Sequence, residues 1–201
     1  MTLLICIVGS TGEGKSEVAK AMIAKTDNAC VWDVQDEYGL PMDIRGNLKK
    51  FSLNPRKHSI DDFIELTHVC EGYTFVCEEM TGYFDNGKIP REFTQEILAK
   101  RHSRNKFILI FHSLQDIPPK IWRFTDTLIL FKTEDLEKDV RIKYPNLVGD
   151  WKRLQTSTNR HTSPTGGNWT IGDNIVLNKT NLVRNKKNDT TNGKDNLSNG
   201  I

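Results

Sequence analysis

Leu3-Leu4-Ile5-Cys6-Ile7-Val8 runs straight into Gly9-Ser10-Thr11-Gly12-Glu13-Gly14-Lys15-Ser16, and this junction decides the fold. An apolar run without polar alternation reads as a strand buried on both faces, the kind found in parallel sheets. Gly9–Ser16 has the spacing G-x-x-x-x-G-K-S/T, a loop that wraps phosphate. The spacing has a mechanical cause: Gly9, Gly12 and Gly14 permit backbone angles that turn successive N–H groups toward one point. A helix starting near Lys15 adds the partial positive charge of its N-terminus. Lys15 can reach the β- and γ-phosphates, and the Ser16 hydroxyl can face Mg²⁺. Behind the loop, residues 17–25 keep helical spacing, the context that the motif requires. The chain is therefore expected to bind ATP with Mg²⁺ along Gly9, Ser10, Thr11, Gly12, Glu13, Gly14, Lys15, Ser16 and Glu17.

At 201 residues, 37% hydrophobic and 27% charged, the chain has room for one α/β domain and a polar remainder. A formal net charge of +2 is too small to argue for nucleic acid by itself. Cys6, Cys30, Cys70 and Cys77 show no C-x-x-C pairing. Cys6 and Cys77 sit in apolar runs, where cysteine acts as a small hydrophobe. His68 and Cys70 lack a second pair at zinc spacing, so no zinc site is expected. Reduced thiols suit an intracellular compartment. There is no signal peptide, and no apolar run approaches the ~20 residues of a membrane span.

Strand and helix signals alternate, as in a mostly parallel sheet flanked by helices. Asn28–Asp33 reads as a second strand. Residues 39–58 read as an excursion with a short strand at Lys50–Leu53. Ser59, with Asp62 three residues on, caps a helix reaching about Val69. Tyr73–Cys77 is a third buried strand. Pro90–Arg101 reads as a helix with proline at its first position. Phe107–Phe111 and Thr127–Phe131 are further strands, and Glu134–Tyr144 a helix. These fill an ATPase domain over residues 1–154. Residues 155–177 read as a loop, with a small hairpin of Trp169–Ile171 and Asn174–Leu177 across Gly172-Asp173. Residues 178–201 are expected to be disordered. The tail is net basic, either a solvated end or a loose grip on DNA phosphates.

Glu78-Glu79, emerging where the strand Tyr73–Cys77 leaves the sheet, supplies two acids where such folds bind ligands. Glu78 is assigned to the magnesium shell and Glu79 to the attacking water. Glu stands at the first position, where Asp is usual, and a bridging water can absorb the extra methylene. His112, Ser113 and Gln115, following Phe107–Phe111, are candidates to lie beside the γ-phosphate. Lys100-Arg101-His102-Ser103-Arg104 ends a helix. These basic residues either offset the helix dipole or include an arginine that reaches a neighbouring subunit's γ-phosphate, with Arg101 ahead of Arg104.

Taken with the phosphate loop, Val31-Trp32-Asp33-Val34-Gln35-Asp36-Glu37-Tyr38-Gly39 resembles the Asp-Pro-x-x-Glu-Tyr segment of HerA-like proteins. Lys100-Arg101-His102, Phe107–Phe111 and Asp116-Ile117-Pro118-Pro119 resemble filamentous-phage assembly ATPases of the zonular occludens toxin (Zot) type. Over about residues 2–133 the chain thus resembles the FtsK–HerA superfamily of DNA-pumping ATPases. It departs in its Glu-Glu pair, its minimal length and the lack of an appended membrane or DNA-binding domain. A stripped-down ATPase without a membrane anchor is more similar to viral genome-packaging motors than to Zot. The resemblance implies a RecA/FtsK–HerA-like P-loop ATPase acting as a ring homo-oligomer, a hexamer, on DNA. Viral capsid or assembly proteins are expected partners, and the host cytoplasm or virion the expected place. Lys15, Glu79 and Arg101 would be catalytic, Ser16 and Glu78 would hold Mg²⁺, and Gln115 would contact the nucleotide. The alternatives are a Zot-like assembly or secretion ATPase and a small nucleotide kinase. A kinase needs an Arg-bearing lid, whereas residues 112–126 offer Lys120 and Arg123 only and no separate helical lid. A nucleotide-gated protein without turnover is disfavoured by the presence of both Glu78 and Glu79.

Overall fold

Apolar strands without alternation must be covered on both sides, and the helices between them do the covering. The computed structural model describes residues 4–41, 49–82, 90–165 and 170–178. The strands are β1 (Leu4–Val8), β2 (Ala29–Trp32), β3 (Lys50–Leu53), β4 (Thr74–Cys77), β5 (Lys106–Phe111), β6 (Thr127–Leu130), β7 (Arg160–Thr162), β8 (Thr170–Gly172) and β9 (Ile175–Asn178). The helices are α1 (Lys15–Ala24), α2 (Ile60–Val69), α3 (Arg91–Ser103), α4 (Pro119–Phe124), α5 (Glu137–Lys143) and α6 (Val148–Thr156). The main sheet has the order β3-β2-β4-β5-β1-β6-β9 and is parallel except for β9. β1 lies well inside it, and β5 separates it from β4.

Successive side chains of a strand point to opposite faces. Leu4, Cys6 and Val8 enter a large core with Phe63 of α2, Phe93 of α3, and Phe75 and Phe107 of the sheet. Phe63 meets Phe75 edge-on at 5.7 Å, and Phe75 stacks on Phe107 at 5.6 Å. Ile5 and Ile7 point the other way, toward Ala19 and Ile23 of α1. α1 is thereby clamped to the sheet directly behind the loop that precedes it. The cap of α2 forms as its sequence implies: Ser59 Oγ accepts from Asp62 N–H, and the Asp62 carboxylate accepts from Ser59 N–H. Such a cap contributes about 1 kcal/mol.

Pro90 is the cap of α3 and not its first residue. α5 begins later than the expected Glu134, because the residues before it serve other partners. The Asp135 carboxylate accepts from Ser113 Oγ and Leu114 N–H, and Thr133 Oγ1 accepts from Trp151 Nε1. α4 and α6 are additions to the helices expected from the sequence. The hairpin across Gly172-Asp173 is not formed. β8 pairs with β7, inside the stretch expected to be loop, and β9 pairs antiparallel with β6, Ile175 opposite Leu130. The open edge of β6 offers a row of backbone donors and acceptors, and pairing there satisfies more of them than a short local hairpin would. Asn178, expected to open the disordered tail, instead ends β9 opposite Thr127, and Trp169 and residues 179–201 lie outside the described residues. No helix among those described is long and apolar enough to cross a membrane.

Candidate functional site

The chain leaves β1 at Val8 and turns over the carboxyl edge of the sheet into α1. Gly9 N–H donates to Phe111 O at 3.2 Å and Ser10 N–H to Lys132 O at 2.8 Å. These two N–H groups moor the loop to its neighbours, whereas the sequence reading placed both residues along the nucleotide. Gly9 is glycine for a different reason than expected: a Cβ there would fall 2.6 Å from Phe131 Cβ. The left-handed turns are made at Gly12 (φ +82°) and Gly14 (φ +90°). Lys15 Nζ donates to Ser10 O at 2.9 Å. Burial lowers its pKa, while the charges of Glu78, Glu13 and Glu79 act in the opposite direction.

Glu78 sits at the end of β4 and is buried, 4% exposed. Its Oε1 accepts from Ser16 Oγ at 2.8 Å and from Tyr38 OH at 3.1 Å. Burial drives its pKa up to about 7; the Ser16 and Tyr38 hydrogen bonds pull it down, and the Glu37 and Asp33 charges push it further up. Glu79 adopts φ +48°, in the left-handed region that a non-glycine residue rarely takes. This turn brings its carboxylate to the cleft, with Oε1 3.9 Å from His112 Nε2 at the end of β5.

The cleft has a volume of about 550 Å³ and is lined by Thr11, Gly12, Gly14, Lys15, Ser16, Glu17, Lys20, Gln35, Glu37, Glu78, Glu79, Ile110 and His112. Four carboxylates face two lysines. A triphosphate alone would meet excess negative charge, whereas a hard divalent cation among these oxygens would balance it. Ser16 and Glu78 provide suitable donors side by side, so the residues fit Mg²⁺.

Most of the sequence-expected site is brought together here, but three loop residues and two of the three sensor candidates are not among the lining. Gly9 and Ser10 moor the loop, and Glu13 turns its carboxylate outward to Arg160. Gln115 lies in a single 3₁₀ turn (Leu114–Asp116) away from the cleft lining, with its Nε2 buried and unpaired. Ser113 is held by Asp135. Of the three sensor candidates, His112 faces the cleft. Arg101 lies in the last turn of α3, which leads into the N-terminal end of β5, the end away from the cleft. Tyr38 joins the site although the sequence marks it by resemblance alone. Its hydroxyl reaches Glu78 because the Asp33 carboxylate accepts from Glu37 N–H and Tyr38 N–H, folding that segment back.

A phosphate loop between a central strand and a covering helix, with the acidic strand set one place beyond, is the fold of the P-loop NTPases. No family model and no curated protein matches the sequence. Among solved structures the chain is similar to the genome packaging NTPase of Sulfolobus turreted icosahedral virus 2 in complex with AMP, with a TM-score of 0.66 and 14% identity over 90% of this chain and 94% of that one. Its complex with ATP-gammaS matches with a TM-score of 0.64 and 14% identity, covering 87% and 96%. The DNA-packaging ATPase of Sulfolobus turreted icosahedral virus matches with a TM-score of 0.63 and 15% identity, again covering 87% and 96%. The expected likeness to viral packaging ATPases is met at the level of fold.

Proposed function

We propose that this chain hydrolyses ATP and moves DNA as a ring of identical subunits, a viral genome-packaging motor of the FtsK–HerA type. The observation that carries the reading is the 2.8 Å hydrogen bond from Ser16 to Glu78. It places the loop hydroxyl and a strand-end carboxylate at one point, with Glu79 beside them on the cleft. The similar structures support it through their fold and through the nucleotides with which they were solved.

On this reading the triphosphate lies against the N-terminus of α1, where the free N–H groups and the helix dipole favour negative charge. Lys15 exchanges the Ser10 carbonyl for phosphate oxygens. Ser16 and Glu78 would hold Mg²⁺, which when bound neutralises charge on the phosphates. Glu79 orients the attacking water and accepts its proton, with His112 next to it as γ-phosphate sensor. Arg101 precedes β5, whose six residues span about 20 Å up to the cleft edge, and on this reading it acts on the cleft of a neighbouring copy. A packaging motor grips DNA, and capsid proteins are its remaining partners.

The kinase alternative finds little support. α4 occupies the segment where a lid would be, but Ile121 is in the core and Trp122 packs on Tyr144 at 4.4 Å, so the segment is part of the body. The discriminating experiment is the ATPase rate of the full chain with no DNA, with double-stranded DNA and with single-stranded DNA. Stimulation by DNA of severalfold is expected. A rate indifferent to DNA points to the assembly ATPase, and phosphoryl transfer to a nucleoside monophosphate to the kinase; either result overturns the motor.

A further inference from the structure

The phosphate loop is held from its outer side by residues 147 positions and more further along the chain. Arg160 of β7 grips the Glu13 carboxylate with two prongs, Nη1 to Oε2 at 2.9 Å and Nη2 to Oε1 at 3.2 Å. From β8, Gly172 N–H donates to the Glu13 carbonyl at 3.1 Å. The approach is as close as glycine allows. A Cβ on Gly172 would fall 2.0 Å from Glu13 Oε2, and one on Gly14 would fall 3.0 Å from Ile171 Cγ1.

This grip acts on the loop in two ways. In a trans peptide the carbonyl and the next N–H point in opposite directions. Holding the Glu13 carbonyl against β8 therefore turns the Gly14 N–H toward the concave side, where phosphate belongs. The second effect is electrostatic. Glu13 is buried, 8% exposed, and close enough to Lys15 to act on its ionisation. Left alone, its charge would oppose an incoming triphosphate. The guanidinium offsets it in the planar two-bond geometry that arginine makes with carboxylates.

We propose that Arg160 is a positioning residue for triphosphate binding, acting through Glu13, and that the β7–β8 pair is the outer wall of the phosphate loop. The proposal rests on the nucleotide-binding reading above. It assigns a ligand-directed role to a part of the chain that the sequence presents as loop.

The test is calorimetric titration of the full chain with ATP, ADP and AMP. Arg160→Ala is expected to weaken ATP and ADP by about 3- to 10-fold, since Glu13 is buried while the Arg160 side chain is half-exposed and partly screened. AMP, which fills less of the nest, should lose less than either. Adding Glu13→Gln to Arg160→Ala removes the stranded charge and should bring ATP most of the way back to wild type. Arg160→Lys keeps the charge but loses the fork, and should give the same order with a smaller loss. A wall that merely packs would lower the melting temperature, leave the affinities of folded protein unchanged and gain nothing from Glu13→Gln. Unchanged ATP affinity in Arg160→Ala, an equal loss for all three nucleotides, or no recovery in the double variant each overturns the positioning role. Wild type that fails to bind ATP would instead sink the nucleotide-binding reading, and the role with it.

Discussion

Replacing Glu78 with glutamine should change how stability depends on pH, and the size of the change comes from the burial of that carboxyl. Its pKa is raised from 4.5 to about 7, because burial penalises the charged form more than Ser16 and Tyr38 favour it. A carboxyl whose folded pKa lies above its unfolded one binds its proton more tightly in the folded state. Its favourable contribution is therefore complete below pH 4.5 and lost as pH rises through about 7. At 1.36 kcal/mol per pH unit, the full swing is about 3 kcal/mol. The glutamine amide would keep an acceptor for Ser16 and Tyr38 but would not ionise. Nucleotide-free wild type and Glu78→Gln should then match at about pH 4, while by pH 8 the variant should be more stable by up to about 3 kcal/mol. For a chain of this size that is a melting difference of about 6–12 °C. Urea unfolding in metal-free buffer from about pH 4 to 8 reads this directly, since the other titrating groups are common to both proteins. Parallel curves would refute the argument. They would mean that Glu78 is either solvated or paired with a cation that the geometry does not reveal.

Lys15→Ala should abolish nucleotide binding or turnover with the circular dichroism spectrum unchanged, because its ammonium faces the cleft and not the core; normal hydrolysis would remove it from the site. Glu79→Gln should leave ATP bound and slow hydrolysis by about 10²-fold or more, the usual worth of a positioned base. An equal loss of Mg²⁺-ATP affinity in Glu79→Gln and Glu78→Gln would contradict the division of roles. Arg101→Ala and Lys15→Ala should each be inactive alone and partly active when mixed, since some interfaces then join an intact loop to an intact arginine worth about 10³-fold. No recovery in a mixture shown to co-assemble would pass the role to Arg104 or dismiss it.

The parallel strands could be read because each carries enough apolar residues to be buried on two faces, and the loop because its glycine spacing serves one geometry. Ser59 and Asp62 announced their helix through side chains that act within a single turn. α6 carries a signal of its own: Val148, Trp151 and Leu154 recur at helical spacing, but behind a Pro145 and a Gly149 that suggest a loop. The rest was not local. β9 abandons a nearby turn for the edge of β6, a choice that depends on which edge the finished sheet leaves open. Tyr38 finds Glu78 40 residues on, and Glu13 finds Arg160 only when the chain folds back. Gly9 is necessary for a reason its motif does not reveal, since its close neighbour Phe131 belongs to a distant part of the chain. Side chains that act across the sheet leave no periodic trace.

The inner place of β1 also bears on how the protein is made. Among the described strands it is synthesised before the others, yet both its neighbours come late: Ile5 pairs with Ile108 on one side and with Thr127 on the other. Until those residues emerge, an apolar segment with two open edges has nothing native to join. Long-range parallel pairing of this kind is slow to form, and exposed strands invite association with other chains. Synthesis that stalls between β4 and β6 should therefore yield aggregates and not a smaller folded unit. Slower synthesis at low temperature, or a chaperone that shields the first strand, should raise the soluble yield of the whole chain far more than any change to its surface.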